Sequence, residues 1–255
     1  MRALLSALAL LVSGVMIGLV GSLTVKGAGS LTPGWAASIL PAAVATVWLA
    51  AGALGLALPL GVGTALYLVE YARPGPLVRA VRSLTETLAG VPSILFGLFG
   101  FALFVVRLGW GPSLLSASAT LALMLLPTVV RTSEEALAAV PQALREGAAA
   151  LGASRWDAIR RVVLPQAAPG IATGALLALG RAVGETAAVL LTAGVGMTLP
   201  RSPLDSSRPL AVHLFLLAGE GSADGRAHAT ALALVVGTLL FNALADLVLR
   251  RRRAS

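Results

Sequence analysis

Residues 131–170 read RTSEEALAAVPQALREGAAALGASRWDAIRRVVLPQAAPG, a long run of helix formers set between apolar stretches. Ser133 is placed to cap a helix whose first turn carries Glu134 and Glu135, both favourable at the positive end of a helix macrodipole. Pro141 predicts a break, and a second short helix then runs from about Gln142 to Leu151. Gly152 stops it, because glycine tolerates the left-handed conformation that follows a helix end. Ser154 with Asp157 three residues on resembles a capping box opening a further helix, to which Trp156, Ile159 and Val163 give an apolar side and which Pro165 ends. An amphipathic helix pair of this kind must cover its apolar stripe. Pattern alone leaves open whether it docks on another protein or folds back on its own helices.

Outward from this stretch the chain is a series of apolar runs, near 3–25, 39–69, 84–106, 113–132, 169–196 and 228–249. Each is long enough for the about 20 helical residues that cross a hydrocarbon core of about 30 Å. With 57% hydrophobic and 12% charged residues in 255, the composition is that of a chain whose solvent is the bilayer. The runs are continuously apolar and lack the alternation of a membrane barrel, so the expected fold is all-α and polytopic, with six transmembrane helices in one domain over 1–255. The N-terminal run exceeds the 7–15 apolar residues of a signal-peptide core and reads as a first span.

The net charge of +8 comes from arginines scattered between the runs, with no basic and aromatic face of the kind that binds nucleic acid. If the N-terminus is inside, thirteen of the basic residues fall in cytoplasmic segments and five outside, the excess that the positive-inside rule associates with cytoplasmic termini. Segment 133–168 is then an inner loop, and 197–227, rich in Pro, Ser, Gly and Asp, an irregular outer loop. Within it Ala211 to Ala218 reads equally as a surface segment or a buttress. There is no cysteine, and His213 and His228 fit no metal spacing.

The inner loop carries a spacing with a resemblance. Glu146, Gly147 and Ala148, then Gly152 six residues after the glutamate, then Val162 to Pro165, are similar to the EAA loop of ABC importer permeases: Glu-Ala-Ala, three residues, Gly, nine residues, Ile-x-Leu-Pro. Gly147 replaces Ala and Val162 replaces Ile. The resemblance implies a type I ABC importer permease fold whose loop 133–168 seats coupling helices on a cytoplasmic ATPase, through Glu146, Gly147, Ala148, Gly152, Trp156, Leu164 and Pro165. ATP would be bound by that partner. The single lysine, Lys26, is followed by Gly27 and cannot belong to a P-loop.

Arg181 is the one basic residue left inside an expected span, with Glu185 four residues on in GIATGALLALGRAVGETAAVLLTAG. A central arginine costs roughly 2.5 to 3.5 kcal/mol to insert and needs a partner, a wet cavity or both. On one helix the two would share a face and pair. Such a pair either serves the translocation path, the guanidinium offering its planar fork to an oxyanion, or joins two helices structurally.

The run ALGRAVGETAAVLLTAG, together with ETLAGVPSILFGLFG from Glu86, resembles the phosphate-specific transport permeases, which share Arg-x-x-Gly-Glu-Thr and Leu-Ala-Gly-Val-Pro-Ser; the short first outer loop and the GETA ending favour the A-type, although Ala188 stands where that subtype often has Pro. That resemblance implies a non-enzymatic subunit importing inorganic phosphate across the bacterial inner membrane. It also implies a homologous C-type permease, two ATPase subunits and an external phosphate-binding protein as partners. Substrate-pathway candidates are Arg181, Glu185, Thr186, Glu86 and Ser93. Glu86 reads also as a solvated interfacial side chain, and Pro92 and Pro59 as gate kinks or static packing. Rival readings are an importer of sulfate, molybdate or an organic solute, an autonomous transporter, and a membrane enzyme. The last has no His-Glu-x-x-His motif or Gly-x-Ser-x-Gly elbow to support it.

Overall fold

The computed structural model describes residues 2–31, 34–220 and 225–254, with side chains for 5–31, 34–220, 225–241 and 243. Asn242, Asp246 and Arg250 to Arg253 therefore lie outside the described side chains. All regular structure among the described residues is helical: α1 (Arg2–Ala28), α2 (Trp35–Leu66), α3 (Pro76–Ala89), α4 (Ser93–Gly100), α5 (Leu114–Ala138), α6 (Gln142–Ala150), α7 (Arg155–Ala158), α8 (Leu164–Gly184), α9 (Ala187–Leu190), α10 (Leu210–Gly219) and α11 (Arg226–Ala254). Wide π-turns extend α2 over Tyr67–Tyr71 and α4 over Phe101–Arg107, and join α7 to α8 over Ile159–Val163.

Helix α5 is the axle. Its sequence alternates small residues with leucines, which lets neighbours approach closely where no hydrophobic drive separates helix from lipid. Helix α2 lies parallel to it, with Gly52 against Ser118 and Gly61 against Val129. Helix α8 runs antiparallel, with Gly170 against Ala136 and Gly174 against Thr132. Helix α4 closes the group through Gly100 on Thr120. The resulting core contains Leu49, Phe96, Leu121, Leu125, Ala178 and Val189. Helix α1 packs on α11, Gly27 meeting Leu232, and otherwise presents apolar side chains outward.

Four of the described helices are long and apolar enough to cross a membrane, five if α3 and α4 count as one span. The expected sixth coincides with α11, whose described apolar part, Arg226–Phe241, is shorter. The count of six is thus not matched exactly. Three expected spans also differ in shape.

The third, 84–106, is not one helix: α3 and α4 meet at 104°. Pro92, with φ −57° and ψ 137°, stands before α4 instead of kinking its interior, and the residue preceding a proline is itself driven out of the helical region. The fourth continues through Ser133, which is buried within α5 and caps nothing. Neither Gly nor Pro intervenes before Pro141, and Leu137 carries the buried face onward.

The fifth begins early and ends early. A continuous helix runs Arg155–Gly184, so Pro165 does not stop it. The π-turn before the proline takes up the strain: the Leu164 N–H bonds the Ile159 carbonyl, one residue farther back than in an α-helix. At the other end Glu185 is extended, with ψ 127°. Segment 197–209 is irregular as expected, and the apolar piece beyond it is the buttress helix α10. Leu210, Ala211 and Val212 are buried, and the Leu210 N–H donates to the Thr46 hydroxyl at 2.9 Å.

Candidate functional site

The break after Gly184 lies level with the middle of the bundle, on its exposed side. Continuing the antiparallel register of α8 on α5 by seven residues from Gly174 sets Arg181 opposite Leu125, close to the middle of α5. Nothing in α8 clamps the chain beyond this point. Gly184 has open space around its Cα, and the Glu185 N–H reaches only the Ala182 carbonyl at 3.4 Å. The chain restarts one turn later as α9, which packs into the core through Ala188 and Val189. Irregular backbone at such depth persists in membrane proteins where it is enclosed by protein or borders a watery path.

Arg181 and Glu185 do not pair. The break rotates Glu185 off the helix face that the spacing assigned to both, and its Oε1 accepts the Ala188 N–H at 3.3 Å, capping α9. Among the described residues neither side chain joins an ion pair. Arg181 is exposed on this single chain, on the same face as Leu177 and Gly184. Its positive charge sits in the last turn of α8, where the helix macrodipole favours a cation. The free fork of donors is therefore directed away from the core of its own chain.

The other pathway candidates scatter. Thr186, half-buried, begins α9 beside Glu185. Ser93, half-buried, begins α4, whose Gly97 touches Ala187 and Ala188. Glu86 lies elsewhere, exposed on α3, where it lines a cavity of about 350 Å³ with Arg82, Arg131, Glu134 and Glu135. Arg82 pairs there with Glu134, and Arg131 with Glu135 at 3.2 Å. No described cavity unites Glu86 with Arg181.

The 142–165 stretch forms a projecting helical turn close to its expected outline. Gly152 adopts φ +79°, the left-handed conformation that ends α6. Ser154 accepts the Asp157 N–H at 3.2 Å, the expected cap, but the reciprocal half of a capping box is replaced: its hydroxyl donates to the Asp157 carboxylate at 2.5 Å. The expected apolar side divides. Ile159 and Val163 are fully buried, whereas Trp156 is 56% exposed. Leu151, which the sequence reading passed over, is 90% exposed, so the turn points two large apolar side chains outward. Glu146 and Pro165 are exposed, Ala148 and Leu164 half-buried, and Gly147 has no neighbour at its Cα.

Sequence reasoning also missed what holds this turn in place. Arg145 donates to Glu70 Oε1 from Nη2 at 2.9 Å and from Nε at 3.2 Å, and from Nη2 to the Leu137 carbonyl at 2.8 Å. Both charged groups are largely buried, at 19% and 9% exposure. Their adjacency to an apolar run and to Glu146 was the available signal. A separation of 75 residues hid the pairing.

Residues 57–254 match the family of binding-protein-dependent transport system inner membrane components. The probable ABC transporter permease protein YqgI of Bacillus subtilis (strain 168) is 38% identical over 205 residues, 73% of this chain and 69% of that protein. The phosphate transport system permease protein PstA of Mycobacterium leprae (strain TN) is 41% identical over 203 residues, 77% of this chain and 66% of that protein. The chain thus spans about two-thirds of the length of these relatives. In three dimensions a chain of the MetNI methionine ABC transporter superposes with a TM-score of 0.74 at 20% identity, over 87% of this chain and 99% of that one. That likeness establishes the fold, a type I importer permease.

Proposed function

Because the chain belongs to the family of binding-protein-dependent transport system inner membrane components, and so is a transport subunit and not an enzyme, we propose that its cargo is inorganic phosphate. The observation that carries this reading is Arg181, unpaired among the described residues, level with the middle of α5 and beside a broken helix. A guanidinium matches a tetrahedral oxyanion bidentately, and its cost in the bilayer is offset only if an anion or water meets it. The 41% identity to a protein named as a phosphate permease supports the same cargo.

Glu185 caps α9 and tempers the local field, so that the anion is attracted without being trapped. Thr186 and Ser93 supply neutral hydrogen bonds near the break, and Glu86 lines the inner mouth. The chain works beside a homologous C-type permease, with two cytoplasmic ATPase subunits and an external phosphate-binding protein. Both of its termini are cytoplasmic. The turn at Gly152, with Glu146, Gly147, Ala148, Leu151, Trp156, Leu164 and Pro165, seats on the ATPase.

The test is uptake of labelled phosphate, sulfate and molybdate by proteoliposomes holding the chain with its partners, native and Arg181→Ala. Phosphate accumulation that requires ATP and collapses in the variant is the expected result. Undiminished phosphate uptake in Arg181→Ala overturns the assigned role of the guanidinium. Preferential sulfate or molybdate uptake by the native complex overturns the cargo.

A further inference from the structure

We infer that Arg145 and Glu70 are positioning residues that bind the inner end of α2 to the coupling turn, so that α2 moves with the motor. The inference rests on the docking reading of the turn given above.

The turn has two legs, α6 leading into Gly152 and α7 leading out of it. Arg145 stands on the first leg. One guanidinium there holds Glu70 at the π-helical end of α2 and, at the same time, the Leu137 carbonyl in the last turn of α5. Arg155 stands on the second leg, its guanidinium 4.8 Å from the centre of the Tyr71 ring, in the same π-turn. Neighbouring residues of one five-residue π-turn, Glu70 and Tyr71, thus grip both legs of the coupling turn.

The chemistry of the two grips differs. The Arg145–Glu70 pair is largely withdrawn from water, where an ion pair missing one partner leaves an uncompensated charge; the pair therefore resists separation. The cation–π contact to Tyr71 is softer. Between the legs lies a cavity of about 540 Å³ bordered by Glu70, Gln142, Arg145 and Arg155; the second leg also packs on α2 through Val163 against Ala65 and Val69, whereas α6 buries no residue of its own and depends on the polar contacts. Glu70 lies within the π-turn itself and is one of its two buried residues. Motion delivered to α6 is consequently passed to α2, and through the glycine contacts of α2 to α5.

The chain has no cysteine, which permits clean labelling. Spin labels at Tyr67→Cys and Ala143→Cys, both exposed positions, report the distance between α2 and α6 in the full complex with and without ATP. The native complex gives one narrow distance in both states. In Glu70→Gln, which leaves both carbonyl contacts of Arg145, to Leu137 and Val140, in place, the distance broadens and shifts with ATP. Phosphate moved per ATP hydrolysed then falls about tenfold, within the usual range of coupling energies, while the ATPase still co-purifies. Arg145→Gln does the same where it assembles.

A native distance that already changes with ATP overturns the inference. So does Glu70→Gln with native distance and native phosphate per ATP, or loss of the ATPase from Glu70→Gln, which makes the pair merely structural. If the native complex moves no phosphate, the cargo reading fails, and the distance measurement still decides the inference.

Discussion

Gly97 and Ala188 touch so closely that a Cβ on residue 97 falls 3.0 Å from the Ala188 Cα and 3.1 Å from the Ala187 carbonyl oxygen. This contact seats α9 against α4 and so fixes where the chain re-enters helix after the break at Glu185. Both partners are backbone, which cannot rotate away. Gly97→Leu is expected to destabilise the protein by about 1 to 3 kcal/mol, the usual cost of overpacking. The displaced α9 carries Glu185 and Thr186 with it, so uptake falls more steeply than thermal stability in detergent. Parallel loss of both in strict proportion counts against a special role for the break.

Arg181→Lys keeps the charge and loses the fork. Residual phosphate uptake with a raised half-saturating concentration is expected, and Arg181→Gln is expected to abolish uptake. The two variants share an exposed site outside any ion pair among the described residues, so their unfolding temperatures stay near the native value. Concentration-dependent uptake by both variants checks this. Equal transport by Lys and Gln shows that charge at this depth is irrelevant.

At the Gly152 turn, stability and the proposed docking are expected to separate. Gly152→Val forces a β-branched residue to φ +79° and costs about 1 to 2 kcal/mol in strain, besides releasing the ATPase during purification. Leu151→Asp touches a side chain 90% exposed and leaves stability unaltered. It nevertheless removes the apolar contact and is expected to weaken ATPase retention on size exclusion. Full retention in Leu151→Asp places the docking contact elsewhere.

Asp205 organises the irregular 197–209 segment. Its carboxylate accepts the N–H groups of Arg201 at 2.7 Å and Ser202 at 3.0 Å, and these bonds hold its pKa below the usual carboxylate value. The same turn satisfies the start of α5, where Leu114 and Leu115 donate to the Asp205 and Pro203 carbonyls. Since the folded pKa is depressed, the contribution is complete above the ordinary carboxylate pKa and is lost as pH falls through the lowered one. Hydrogen exchange at residues 201, 202, 114 and 115 is therefore expected to quicken at strongly acidic pH. In Asp205→Asn it is quick at neutral pH as well. Unchanged protection in that variant refutes the role.

Much of the turn at Gly152 was legible because its signals are local. Gly152 needs a left-handed residue, Ser154 and Asp157 lie within one helical turn, and both readings hold in the structure. The Arg181–Glu185 pair was misread for a related reason. The four-residue spacing brings them together only on an unbroken helix, and the apolar run around them carries no breaker strong enough to announce the interruption; Gly184 is as compatible with close helix packing as with a helix end. Pro165 erred the other way, a breaker neutralised by the π-turn ahead of it.

Apolar run length was sufficient to determine a helical membrane protein, and the pattern around Gly152 a helix end, because backbone hydration and helix-end geometry are decided within a few neighbouring residues; the importer permease kind came from the resemblance of the Glu146, Gly152 and Pro165 spacing to the EAA loop. Only the folded molecule decided that α3 turns 104° from α4, that the fifth long helix stops at Gly184 in mid-bundle, and that Arg145 closes on Glu70 from 75 residues away. Those outcomes depend on which small residues meet across helices. Contacts of that kind are set by packing between segments distant in the chain, and no local pattern records them.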